Sequence, residues 1–213
     1  KDARRRWRHI GDALIELDIY LTARLKADAE TKDLAPPLET ARAALDAAAA
    51  AHEAARMALV TQLALRDMAD GEADGALRGL YQALQVSEDR AGGKAGPRTK
   101  RVFPKGLRGA TDGPVFAQPG VMGIAAGVVA NDPDPAVAAH ETALQQAADA
   151  LETANDSYAE AIGATQIAYG QELSARSEWI RQYEKTYGEL IVRVGKRKAE
   201  TFFRKSARTK RSA

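Results

Sequence analysis

The sequence has no cysteine among its 213 residues, which excludes a disulfide scaffold, a thiolate metal site and a cysteine nucleophile. Large apolar side chains are scarce as well. Hydrophobic residues make up 45% of the chain, but 45 of the 96 are alanine, leaving 51 with enough surface to build a core. That is enough for one elongated helical core and thin for two compact globular domains. Long apolar runs are missing: the longest, Val121 to Ala130, has ten residues, against the roughly 20 that a spanning helix needs. No transmembrane segment is expected, and Lys1-Asp2-Ala3-Arg4-Arg5-Arg6-Trp7 lacks the apolar stretch of a signal peptide. The cysteine-free composition fits a cytoplasmic protein, with export left open because the sequence does not begin with methionine. Heavy alanine and arginine usage points to a GC-rich bacterial genome.

Histidine is nearly absent too, with three in the chain, and each can be tested. His52-Glu53 and His140-Glu141 begin like a zinc-protease helix. The second ligand of that motif sits four residues on, where this chain has Arg56 and Leu144. A di-iron bundle needs Glu three residues before His; Arg6, Ala49 and Val137 stand there instead. Gly93-Lys94 and Gly195-Lys196 run into Ala95 and Arg197 with no phosphate-cradling loop in front. No nucleophile elbow or dinucleotide fingerprint occurs. The reading is a non-enzymatic chain with no cofactor and no metal, in which His52 is a partly buried packing residue and His140 a solvated one.

Proline and glycine are unevenly placed. Residues 92–135 hold 6 of the 8 prolines and 9 of the 17 glycines, so the chain reads as helix, irregular insert, helix. Ile10, Leu14, Leu17, Leu21 and Leu25 form one apolar stripe of a first helix over 3–33, ended by Leu34-Ala35-Pro36-Pro37 because proline disfavours helix in the residue before it. A second helix begins near Leu38, striped by Leu45, His52, Leu59 and Leu63, with a kink or break expected at 70–75, Asp70-Gly71-Glu72-Ala73-Asp74-Gly75. From Val137 to about Lys205 the pattern favours one long helix. Its weak points are Asn155-Asp156-Ser157, able to cap a new helix with Glu160 three residues beyond Ser157, and Gly163 and Gly170. The fold class is therefore all-α, a long antiparallel coiled coil or bundle of three long helices, or four if the last is broken near Asn155 or Gly170. It is divided as 1–88, 89–134 (the insert) and 135–213, packed as one domain.

The net charge of +2 conceals segregation. Residues 1–9 carry +4, residues 90–108 carry +7 and residues 193–213 carry +8, so the remainder holds −17. Each basic segment contains an aromatic ring: Trp7 among Arg4, Arg5, Arg6 and Arg8; Phe103 among Arg98, Lys100, Arg101, Lys105 and Arg108; and Phe202-Phe203 among Lys196, Arg197, Lys198, Arg204 and Lys205. Basic side chains neutralise phosphates while rings stack on bases or enter a lipid interface. In the insert, the small apolar stretch with Val121, Met122, Ile124, Val128 and Val129 either lies over the helices or serves as an adhesive patch for a second chain.

These features point first to a structural protein that self-associates, as a homo-oligomer or with a protein partner, through its helical stripes and the apolar insert, with basic segments contacting acidic neighbours. Two alternatives stand beside it: a nucleic-acid-binding protein using the basic N-terminus, insert and tail, and a peripheral membrane or granule-surface protein anchored by Trp7 and Phe202-Phe203.

Overall fold

A computed structural model describes residues 16–91 and 96–203. Among them every regular element is helical. A helix over residues 16–27 (α1) is followed by Ala35–Arg90 (α2), Pro97–Val102 (α3), Arg108–Thr111 (α4), Gln118–Val129 (α5), Pro135–Ala138 (α6), His140–Val194 (α7) and Lys196–Ala199 (α8). The chain is an all-α assembly of long packed helices. It groups into two compact units, Lys1–Ala54 with Gln166–Ala213, and Ala55–Thr165. This grouping cuts across the sequence boundaries at 88/89 and 134/135.

In the first unit, α1, the start of α2 and the end of α7 bury Leu21, Leu25, Leu34, Ala35, Leu38 and Leu190, joined by Ala199 and Phe202. Ion pairs from Lys26 to Glu39 at 2.6 Å and from Arg42 to Asp18 at 2.9 Å set α1 and α2 antiparallel. The reversal between them is built by side chains: Asp28 accepts from the Glu30 amide, and the buried Thr31 hydroxyl donates to the Leu25 carbonyl. The second helix starts at Ala35 rather than near Leu38. Pro36 and Pro37 occupy its first turn, where no intrahelical acceptor awaits an N–H and the fixed φ suits a helix.

The last helix also ends earlier than its pattern suggested. Gly195, at φ 78° and ψ 153°, sits in a region open only to glycine. It turns the chain into α8, which returns Ala199 and Phe202 to the core. Between α2 and α7, His52 Nδ1 meets Glu172 Oε2 at 2.7 Å and its ring lies 5.3 Å from that of Tyr169. Arg176 donates to the other Glu172 oxygen at 2.8 Å. His52 is thus a half-buried helix-packing residue.

In the second unit, Ala73, Leu77, Leu80 and Leu84 of α2 join Leu144, Ala148 and Leu151 of α7 in one buried cluster, each row at spacings of three and four residues. No break occurs at 70–75. Ala73 is fully buried and Asp74 accepts a 2.8 Å bond from Gln118, so tertiary contacts override the roughly 1 kcal/mol that each mid-helix glycine costs. Asn155 caps nothing: it lies inside α7 and donates to the Val115 carbonyl. The insert is not irregular either. Pro97, Pro119 and Pro135 stand in the first turns of α3, α5 and α6, so the prolines that suggested loops open helices. His140, half-buried at the head of α7, packs beside Gly79 rather than standing in solvent.

Candidate interaction surface

The basic cluster of the insert lies on α3, α4 and the turn between them. Arg98 is consumed internally, with its guanidinium on Asp132 at 2.6 Å and on the Ser87 hydroxyl at 3.1 Å. Ser87 in turn donates to Asp134, whose carboxylate caps α6 through the Ala136 amide. Those two donors hold the Asp134 carboxyl below its ordinary range. Beside this network Glu88, 5% exposed, accepts four bonds. Oε2 receives the Gly96 amide at 2.7 Å and the Thr99 hydroxyl at 2.6 Å; Oε1 receives the Arg98 and Thr99 amides at 2.8 and 3.0 Å. Burial pushes this carboxyl up, but the donors outweigh it and hold its pKa down to about 2. Glu88 is the N-terminal anchor of α3, and the cluster ties the insert to the end of α2.

Lys100, Arg101, Lys105 and Arg108 are exposed, and no carboxylate pairs with them among the described residues. Phe103 does not stand among them as a stacking ring. It is buried at 3% exposure in the second unit's core, edge-on to Tyr81 at 5.4 Å. A basic surface remains, without its ring.

The C-terminal bases divide similarly. Lys198 pairs with Asp28 and Glu30 at 3.1 and 3.0 Å, and Arg193 with Asp33 at 2.6 Å, holding the α1–α2 reversal. Of the three carboxylates paired there, Asp28 and Asp33 are held below their ordinary range by hydrogen bonds, from the Glu30 amide first and Lys198 second at Asp28, and from Arg193 at Asp33. Lys196 and Arg197 are exposed. Phe202 is a core residue beneath Arg24, whose guanidinium stands 5.6 Å from its ring centre. It is therefore unavailable as an interfacial anchor. Phe203 is half-buried against Tyr183 and Tyr187. Arg4, Arg5, Arg6, Trp7, Arg8, Arg204 and Lys205 lie outside the described residues.

The five apolar residues singled out in the insert are not brought together on one outer face. Met122 and Val129 are fully buried in the second unit's core, which removes them from contact with another chain. Val128 is half-buried, Val121 borders on exposure, and Ile124 stands 72% exposed.

The larger uncovered apolar surface is elsewhere. On α2, Met57, Val60, Leu65 and Met68 are 60, 61, 48 and 64% exposed. Met57, Val60, Ala64 and Met68 follow at spacings of three, four and four residues, and Gly71 and Gly75 continue the same face. A Cβ on either glycine would meet nothing within 4 Å. The face carries Thr61 and is free of charge from Met57 to Leu65; beyond that the exposed Glu72 lies on it and the exposed Asp67 borders it. Sequence reading followed the inward stripe of this helix and missed the outward one, although its spacing was visible in the same residues.

Among the described residues no group of three or more histidine, aspartate or glutamate side chains is placed to hold a metal ion, and no helix is long and apolar enough to cross a membrane. Comparison of the chain with protein-family models, with curated proteins and with solved structures finds no match.

Proposed function

We propose that this is a non-enzymatic helical protein of the bacterial cytoplasm that self-associates through the outward face of α2. The exposed apolar stripe of Met57, Val60, Ala64, Leu65 and Met68 carries the reading. Exposed contiguous apolar surface of this kind marks interaction sites, methionines adapt to whatever packs on them, and an apolar helix face can pack on its own copy, as a two-fold interface requires. Two copies of α2 would meet along it in coiled-coil fashion, with small residues allowing close approach. Sedimentation of the full chain over a hundredfold concentration range tests this. The expected result is a monomer–oligomer transition that Met57→Glu with Met68→Glu abolishes while helicity is retained. A wild-type monomer at every concentration refutes it.

A second reading rests on a separate observation, the four exposed and unpaired cations Lys100, Arg101, Lys105 and Arg108. Four phosphate contacts give a log–log salt slope of about −3.6 on duplex DNA. Anisotropy titrations between low and moderate salt should give that slope and lose it when the four are replaced by glutamine. Weak binding with a flat salt dependence sinks this alternative.

A further inference from the structure

In the first unit, one turn of α7 and the chain after α8 enclose a surface recess of about 340 Å³ lined by Tyr183, Glu184, Tyr187, Glu200 and Phe203. Three of its five lining residues are aromatic. Tyr183 and Tyr187 stand one turn apart on α7, and the Phe203 ring meets them at 76° and 88°, with centroids 5.5 and 5.0 Å away. Phe203 packs near-perpendicular on both tyrosines, and Tyr183 also stands 5.4 Å from the Trp179 ring, so the recess has an aromatic corner; its remaining lining is two carboxylates. Glu184 and Glu200 are exposed, and neither has a hydrogen-bond or ion-pair partner among the described residues. The protein uses ring faces for cations elsewhere: Arg24 stands over Phe202, and Arg66 lies 4.4 Å from the Tyr158 ring centre. Among the described residues no cation stands over the rings of this recess.

We infer that the recess binds a small organic cation of the quaternary ammonium class, with Tyr183, Tyr187 and Phe203 receiving the methyl groups and Glu184 and Glu200 supplying the countercharge. The aromatic faces attract positive charge through their quadrupole. A primary ammonium or a guanidinium brings three or five N–H donors that need acceptors, whereas a quaternary ammonium brings none and spreads its charge over methyl groups suited to apolar walls. The carboxylates also choose among quaternary ligands. They attract a net cation such as choline, and they repel the phosphate of phosphocholine. The source is therefore a free cation and not a lipid headgroup.

The test uses the full-length protein and four probes, followed by the ring resonances of Tyr183, Tyr187 and Phe203. Choline should produce saturable shifts at all three. Its neutral carbon isostere, 3,3-dimethylbutan-1-ol, and phosphocholine should each bind at least about fivefold more weakly, and phosphatidylcholine vesicles should leave the protein in the supernatant. Glu184→Gln with Glu200→Gln, both at exposed positions, should weaken choline about fivefold. Phe203→Leu, which keeps apolar bulk but removes a π face, should weaken it severalfold. Absence of saturation, equal binding of the isostere or phosphocholine, an unchanged double variant, or co-sedimentation with vesicles would each overturn the assignment.

Discussion

Replacing Glu88 with glutamine perturbs the most densely bonded side chain of the second unit. The carboxylate accepts from four donors, two on each oxygen. An amide keeps one oxygen, so two bonds survive, and its NH2 group then faces two donors. Two charge-assisted bonds at about 1.5–3 kcal/mol each, partly replaced by water, give a loss of about 3 kcal/mol. That is on the order of a hundredfold in local opening. Hydrogen exchange at the Gly96, Arg98 and Thr99 amides reads this opening directly, and their protection should fall by that factor. The pH dependence supplies an independent check. The folded value of about 2 lies below the ordinary 4.5, so the stabilisation is complete above the ordinary value and is lost as the pH falls through the folded one. Wild-type protection at these amides, corrected for intrinsic exchange, should drop at least about tenfold between pH 6 and pH 3. The Glu88→Gln protein should lack that acid limb. Equal protection in the two proteins at pH 6, or an acid limb that survives in the variant, refutes the reasoning.

Other substitutions probe separate parts of the structure. At Gly96 a Cβ would come within 2.9 Å of Glu88 Oε1, so Gly96→Ala should displace the same anchor and cost about 1–3 kcal/mol in urea unfolding; neutrality would place the clash in doubt. Gly195→Ala meets open space but a φ of 78°, so its cost of about 1–3 kcal/mol in urea unfolding is purely conformational, and Gly195→Asn should cost as much, because the ψ of 153° lies outside the left-handed region that asparagine tolerates. Arg42→Met leaves the fully buried Asp18 without its ion-pair partner. Burial already pushes this carboxyl up against the opposing influence of Trp179 and Arg42. The variant should lose about 3 kcal/mol or more at neutral pH and recover part of it as the pH falls and Asp18 protonates. Trp179 fluorescence during urea unfolding at pH 7 and pH 5 distinguishes this from a pH-independent loss.

The long helices were legible because their apolar spacing is local information. Leu21 and Leu25 lie buried where their periodicity puts them. The misreadings share one cause: each residue's role is set by a distant partner. Asp70 to Gly75 contains two glycines and three acids, a fair breaker on propensity alone. Ala73 nevertheless packs in the core and Asp74 bonds to Gln118, 44 positions away. Prolines of the insert read as loop signals, because proline at a first helical turn looks the same in sequence as proline in a turn. Phe103 and Phe202 stand among basic residues and read as outward rings, yet each packs into a core built by distant residues, Phe103 with Tyr81 and Phe202 with Leu21 and Leu25 after the turn at Gly195. The recess around Tyr183 was not legible at all, since it needs Gly195 to fold Phe203 back against α7.

The placement of the bases bears directly on which partner this protein meets. Arg98, Arg193 and Lys198 each find a carboxylate within 2.6 to 3.1 Å, and each closes a chain reversal. The segregated charge seen in sequence is therefore partly internal stapling. Lys100, Arg101, Lys105 and Arg108 have no such duty, and they lie in the second unit together with the exposed apolar α2 stripe. The two surfaces answer to salt in opposite ways. Phosphate contacts weaken as counterions accumulate, while burial of Met57, Val60, Leu65 and Met68 is unaffected by screening and is strengthened by sulfate. An assembly that persists in high salt and tightens in sulfate belongs to the α2 stripe. One that dissolves as salt rises is held by the insert's cations.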